Sequence, residues 1–250
     1  MLFSGKTINK NIPIPLYYQI KAILLDYIKD HSNDFEAPIP TEVEISEHFG
    51  ISRPTVRQAI RELVVEGLLY RVKSKGTFIA KPKICQDFLL VLDSFNNEMR
   101  KKGLTPSTKV LYMKVIESNE EVRKALNLEQ GCKVIELSRL RFANQEPIVF
   151  VITYLPFDKC PILLEKNLES ESMYEVIEKE CGLEITNATR SLESILAGEF
   201  ESKLLGIDKG SPIQYFESVT YLSDGTPIEY SLAKYRGDRN KFTFNLKRNK

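Results

Sequence analysis

The chain has few of the residues from which active sites are most often built. Its 250 residues include two histidines, His31 and His48, and four cysteines, Cys85, Cys132, Cys160 and Cys181. The cysteines make no C-x-x-C pair and none stands beside a histidine, so the spacing of a tetrahedral metal site is missing. No Ser/His/Asp or Cys/His arrangement is recognisable either. The expectation is therefore no catalytic residue, no metal and no cofactor. No apolar run approaches the ~18 residues that a membrane span needs. The opening MLFSGKTINKN lacks the apolar core of a signal peptide, so a cytoplasmic protein with reduced thiols and no membrane partner is expected.

Net charge is also nearly absent, at +1 overall, but it is unevenly placed. Residues 1–83 carry 12 basic and 9 acidic side chains, whereas residues 84–250 carry 23 and 25. Between Gly50 and Lys83 there are eight Lys or Arg and two acids. A positive field confined to one stretch favours an anionic macromolecule as the partner of that end of the chain.

The patterning of this end is helical. Leu16, Ile20, Ile23, Leu24, Tyr27 and Ile28 make one apolar stripe. A second helix starts at Thr41, where Thr41-x-x-Glu44 reads as a capping box, and ends at Gly50. Ser52 caps a third helix, with Pro54 tolerated in its first turn, and Val56, Ile60, Leu63 and Val64 form its buried face. Helix, tight turn, helix is the pattern that reads a DNA major groove with the N-terminal residues of the second helix. Arg53 and Arg57 are one turn apart on it and suit guanine edges. Ser52 and Thr55 suit phosphate oxygens, and Thr41, at the start of the preceding helix, joins them as a DNA-binding candidate. Two short strands, Leu68–Val72 and Thr77–Ala80, then enclose Lys73, Lys75 and Gly76 at the tip of a basic hairpin.

The strings PIPLYYQIKAILLDYI and IPTEVEISEHFGISRPTVRQAIRELVVEGLLYRVKSKGTFIAKP resemble the winged-helix domain of GntR-family bacterial transcriptional regulators. The resemblance covers about residues 13–82. It implies DNA contacts by Arg53, Arg57 and the wing glycine Gly76. Many members carry an arginine directly after P-S/T-E, where this chain has Val43.

After Lys81-Pro82-Lys83 the sequence changes character. Ser94 caps a helix ended by Gly103, and Val110–Glu117 alternates like a strand. An internal repeat follows. Ser118-x-x-Glu121 starts a helix that leads through a turn into the strands Val134–Phe142 and 147–155, joined at Asn144-Gln145. A second helix after Gly198 leads in the same way into Ile213–Leu222 and 227–236, joined at Asp224-Gly225. Between the copies lie a helix, Ser172–Glu180, and a strand, Glu184–Leu196. Two helix–turn–hairpin copies predict one pseudo-symmetric sheet flanked by helices. Arg139 and Arg141 share one strand face, where they either meet a buried anion such as phosphate or line a solvated edge.

The strings SRLRFANQEPI, ESMYEVIE, LGIDKGSPI and DGTPIEYSLAKYRGDR resemble the UTRA effector domain of the HutC-type branch of that family, related in fold to chorismate lyase. They look closest to the N-acetylglucosamine-utilisation repressors, which answer N-acetylglucosamine 6-phosphate or glucosamine 6-phosphate. The resemblance implies phosphate-side roles for Ser94, Arg139, Arg141, Ser172 and Tyr174, and sugar-facing roles for Glu229 and Tyr235. Two positions depart from it: Val151 stands where relatives have a glutamate, and Asn187 where they have an arginine. The expected fold class is α+β: an N-terminal winged helix-turn-helix (1–80), a linker (81–89), and a C-terminal mixed α/β effector domain of chorismate-lyase-like type (90–250). The expected function is a homodimeric repressor of sugar-uptake or catabolism genes that binds double-stranded operator DNA and is released by a small phosphorylated sugar. The alternatives are the same architecture answering another small molecule, or a lyase-like enzyme.

Overall fold

The computed structural model describes residues 3, 5–32, 34–35, 37–72, 74–86 and 94–244. Lys73, positions 87–89 of the expected linker, and positions 90–93 and 245–250 of the expected effector domain lie outside the described residues. The chain separates into two compact units, Met1–Pro82 and Lys83–Lys250.

In the first unit, α1 (Leu16–Asp30) follows Pro15, whose fixed extended backbone sets the entry. Helix α2 (Glu42–Phe49) is opened by the capping box: the Thr41 side chain accepts from the Glu44 N–H, and the Glu44 side chain accepts from the Thr41 N–H. It ends at Gly50, in the left-handed conformation with φ 58°. The tight turn is closed from α2 by Ser46, whose hydroxyl donates to the Ile51 carbonyl at 2.6 Å. Helix α3 (Arg53–Val65) is capped by Ser52 and carries Pro54 in its first turn. Ile20 and Leu24 of α1, Ile45 of α2, and Val56, Ile60 and Leu63 of α3 meet in one core, closed below by Leu69 and Ile79. Each such buried aliphatic side chain contributes ~1.5–3 kcal/mol. The last two belong to the antiparallel strands β1 (Leu69–Val72) and β2 (Gly76–Ile79). The pair also gains a neighbour: the Ile39 N–H donates to the Thr77 carbonyl at 2.7 Å, beside a bridge between Pro38 and Phe78.

The second unit begins with β3 (Ile84–Gln86), inside the stretch read as a linker. Its parallel partner is β10 (Asn240–Phe242), reached only after α4 (Phe95–Lys101), β4 (Pro106–Glu117), α5 (Glu120–Leu126), β5 (Lys133–Ala143), β6 (Glu146–Pro156), α6 (Met173–Lys179), β7 (Ile185–Leu196), α7 (Glu199–Leu205), β8 (Pro212–Leu222) and β9 (Pro227–Arg236). A 3-10 turn, Pro161–Glu165, precedes α6.

Six of these strands form one antiparallel sheet in the order β4-β5-β6-β9-β8-β7. The order reads as two copies of strand–hairpin joined back to back through β6 and β9. The repeat seen in the sequence is thus longer than its hairpins, because β4 and β7 are also counterparts. Strand β4 begins at Pro106, four residues before the alternation suggested, as an edge strand permits. Helix α5 is capped by Asn119 and not by the expected Ser118: Asn119 Oδ1 accepts from the Val122 N–H at 2.9 Å, while the Ser118 hydroxyl donates to the Cys132 carbonyl. Asparagine and serine are equal cap formers, so the neighbouring hydrogen bond decides between them. At the β5–β6 hairpin, Asn144 and Gln145 both take positive φ, at 49° and 66°. Helices α5 and α7 pack on one face of the sheet, through Val122 and Leu126 and through Leu205. Helices α4 and α6 cover the other face, through Phe95 and Met99 and through Met173, Val176 and Ile177.

Candidate functional site

The face beneath α4 and α6 holds a pocket, and strand register explains its lining. Thr108 on β4, Arg141 on β5, Val149 on β6 and Tyr235 on β9 are consecutive cross-strand partners. One row along, Arg139, Val151, Ala233 and Phe216 are matched in the same way across β5, β6, β9 and β8. The next row runs Thr153, Ser231, Ser218 and Arg190. Side chains of period two on each strand are thereby brought to one surface. Ser94 closes the pocket from the start of α4, and Ser172, Met173 and Tyr174 close it from the start of α6. All seven residues expected to bind an effector, Ser94, Arg139, Arg141, Ser172, Tyr174, Glu229 and Tyr235, line this one pocket.

Arg139 and Arg141 do not lie on a solvated edge. Strand β5 is interior to the sheet, and Arg139 is only 3 % exposed. Arg139 Nη2 donates to Thr153 Oγ1 at 3.2 Å, but Nε meets no hydrogen-bond partner among the described residues. Arg141 stacks over the Phe95 ring at 5.1 Å, and its Nε is likewise buried without a partner. Burial, and then the adjacent Arg141 guanidinium, pull the Arg139 pKa well below the usual arginine value; burial also lowers that of Arg141. Arginine stays protonated in proteins, so the direction measures how poorly the pocket hydrates these two charges. An anion with several acceptor oxygens relieves that cost.

The opposite wall is held by a hydroxyl–carboxyl cluster. Glu229, 5 % exposed, accepts at Oε2 from the Tyr174 hydroxyl at 2.7 Å and from Thr220 Oγ1 at 2.9 Å. Burial, then Glu229, raises the Tyr174 pKa; burial, then Glu98, raises that of Tyr235. Both phenols therefore keep their protons as donors. Ser94 and Ser172 accept the N-terminal N–H groups of Asn97 and Glu175 as helix caps, at 3.2 and 3.5 Å.

The two departures noted in the sequence behave differently. Val151 is buried in the pocket floor, directly opposite Arg139. Asn187 is not in the lining; it is opposite Tyr221 on the other face and bonds Thr186. The same strand nevertheless supplies a cation, because Arg190 lines the pocket opposite Ser218. Sequence reasoning missed Arg190 and Thr108, whose place follows only from the register of the edge strands.

In the first unit, Ser52, Arg53 and Arg57 are exposed along the N-terminal half of α3, as are Thr41, Lys75 and Gly76 around it. Ser52 Oγ and Thr55 Oγ1 lie 2.8 Å apart. The hairpin tip turns through Ser74 at φ 63° and Gly76 at φ 127°. Glu42, a residue the sequence did not single out, bonds both Arg57 and Arg71.

A winged helix with an exposed, basic second helix is the architecture of a DNA-binding regulator. Comparison with known proteins agrees. Residues 16–79 match the family of bacterial regulatory proteins called gntR, and residues 101–241 match the UTRA domain. The HTH-type transcriptional repressor NagR of Bacillus subtilis (strain 168) is 39% identical over 241 residues, covering 96% of this chain and 98% of that protein. The mannosyl-D-glycerate transport/metabolism system repressor MngR of Escherichia coli (strain K12) is 29% identical, covering 92% and 95%. The crystal structure of PhnF from Mycobacterium smegmatis superposes with a TM-score of 0.65 at 29% identity, covering 91% of this chain and 99% of that one. The chain belongs to the GntR family of transcriptional regulators, in the HutC-type branch that carries a UTRA domain.

Proposed function

We propose that this regulator represses genes for the uptake or breakdown of a sugar and leaves its operator when a phosphorylated sugar fills the pocket. Glucosamine 6-phosphate and N-acetylglucosamine 6-phosphate are the first candidates, given the similarity to NagR over nearly the whole chain. One observation carries the reading: two neighbouring guanidiniums, Arg139 buried and Arg141 half-buried, each with a buried, unmatched Nε, in a pocket also lined by Ser94, Ser172 and Tyr174. A phosphate supplies the charge and the acceptor oxygens that the two guanidiniums lack. Glu229 and Tyr235 face the sugar in this reading. Ser52, Arg53, Thr55, Arg57, Lys73, Lys75 and Gly76, with Thr41 at the start of α2, meet the operator. A cytoplasmic homodimer would span a palindrome with half-sites ~34–36 Å apart.

The effector acts only through a difference in its affinity for the DNA-competent and released arrangements. Thermal melting against a panel of sugar phosphates tests the pocket. A true effector at a hundred times its dissociation constant stabilises the protein by ~2.7 kcal/mol. Melting temperatures that no sugar phosphate raises would refute the reading.

A further inference from the structure

We propose that Glu42 is a specificity-determining positioning residue, whose carboxylate presets Arg57 for base reading and ties the wing to the recognition helix. A carboxylate on a surface built for phosphates repels the ligand, so its presence there needs a positional reason. Its geometry supplies one. Glu42 stands in the first turn of α2, Arg57 on α3 and Arg71 on β1. Glu42 Oε2 accepts from Arg57 Nε at 2.9 Å, and Oε1 accepts from Arg71 Nη2 at 2.8 Å. Both carboxyl oxygens are thus used, one by the helix and one by the hairpin. The Glu42 side chain is the least exposed of the three, at 22% against 60% for Arg57 and 46% for Arg71.

Holding Arg57 by Nε leaves its two terminal nitrogens for the paired acceptors of a guanine edge. A long, flexible side chain is thereby fixed before DNA arrives, which lowers the entropy lost on binding the correct sequence. The same carboxylate keeps Arg57 and Arg71 from settling on any passing phosphate. The neighbouring residue, Val43, brings no charge of its own.

The inference rests on Arg57 contacting DNA, and the experiment separates the two. A duplex preferred by the full-length protein is selected from a random pool. Its affinity and that of random duplex are then measured for the wild type, Glu42→Gln, Glu42→Asp and Arg57→Ala, with a thermal melt of each. Aspartate is one methylene too short to hold both guanidiniums, so it serves as a second variant should the amide fail to fold. The expected result is a selected-to-random ratio about tenfold lower in the folded Glu42 variants, the loss falling on the base pair that Arg57→Ala also relaxes. Affinity for random duplex is retained or raised, with a steeper salt dependence. A purely structural ion pair would leave that base preference intact, so an unchanged ratio in both folded variants overturns the proposal. An unchanged ratio in Arg57→Ala overturns the reading of Arg57 itself, and the proposal with it.

Discussion

Arg139 and Val151 are direct cross-strand partners in the pocket floor, both buried, with the guanidinium Nε meeting no partner among the described residues. An apolar side chain beside a buried cation leaves the charge to be matched by something that enters the pocket. Directly opposed side chains have Cβ atoms ~4.5–5.5 Å apart, so a carboxylate at 151 would reach Arg139. Val151→Glu, which restores the residue that the resembling repressors carry, is expected to change which sugar phosphate the pocket prefers, shifting relative affinities across a panel about tenfold, ~1.4 kcal/mol, in a calorimetric titration.

Removing the buried charge separates stability from function. Replacing poorly compensated buried ions by apolar side chains of similar size often stabilises, by ~1–4 kcal/mol. Arg139→Met is therefore expected to melt a few degrees above the wild type without ligand, and to show no further shift with any sugar phosphate. A thermal melt with and without ligand reads both effects.

Gly76 at the wing is constrained twice. Its φ is 127°, a region that side chains disfavour, and a Cβ there would stand 3.0 Å from Pro38 Cβ. Gly76→Ala is expected to cost ~1–3 kcal/mol of local strain. Amide exchange in β1 and β2 should accelerate, and affinity for operator DNA should fall, while the sugar-phosphate titration is unchanged.

The second unit carries an ion pair whose contribution to stability depends on pH. Lys234 on β9 donates to Glu201 on α7 at 2.7 Å, and this bond holds the Glu201 carboxyl below its ordinary value of 4.5. A depressed carboxyl stabilises the fold fully above that ordinary value, and the gain is lost as pH falls through the depressed one. Lys234→Met is thus expected to lower the melting temperature at pH 7 and to flatten its fall between pH 5 and acid, as followed by circular dichroism.

Much of this was legible in the sequence because it depends on short-range patterns. The Thr41–Glu44 capping box, the Gly50 turn and the α3 stripe all lie within a few residues of one another, and the structure contains each of them. Arg139 and Arg141 share a face by strand period alone. What was not legible depends on register between distant strands or on contacts between elements. Arg190 reaches the pocket because it is opposite Ser218, and Asn187 misses it for the same reason. No local pattern marks Glu42, because an acid in the first turn of a helix is common. Its two arginine partners, 15 and 29 residues away, appear only when α2, α3 and β1 are assembled.

The central claim is that a phosphate in the Arg139–Arg141 pocket controls DNA binding. It is tested most directly by fluorescence anisotropy of the full-length protein on its selected duplex, titrated with glucosamine 6-phosphate, N-acetylglucosamine 6-phosphate and other hexose phosphates. The account predicts that at least one of them weakens binding about tenfold or more, within the usual 1–3 kcal/mol of allosteric coupling, and has no effect on Arg139→Met. Wild-type DNA binding that no phosphorylated sugar alters, or an Arg139→Met protein that responds like the wild type, would contradict it.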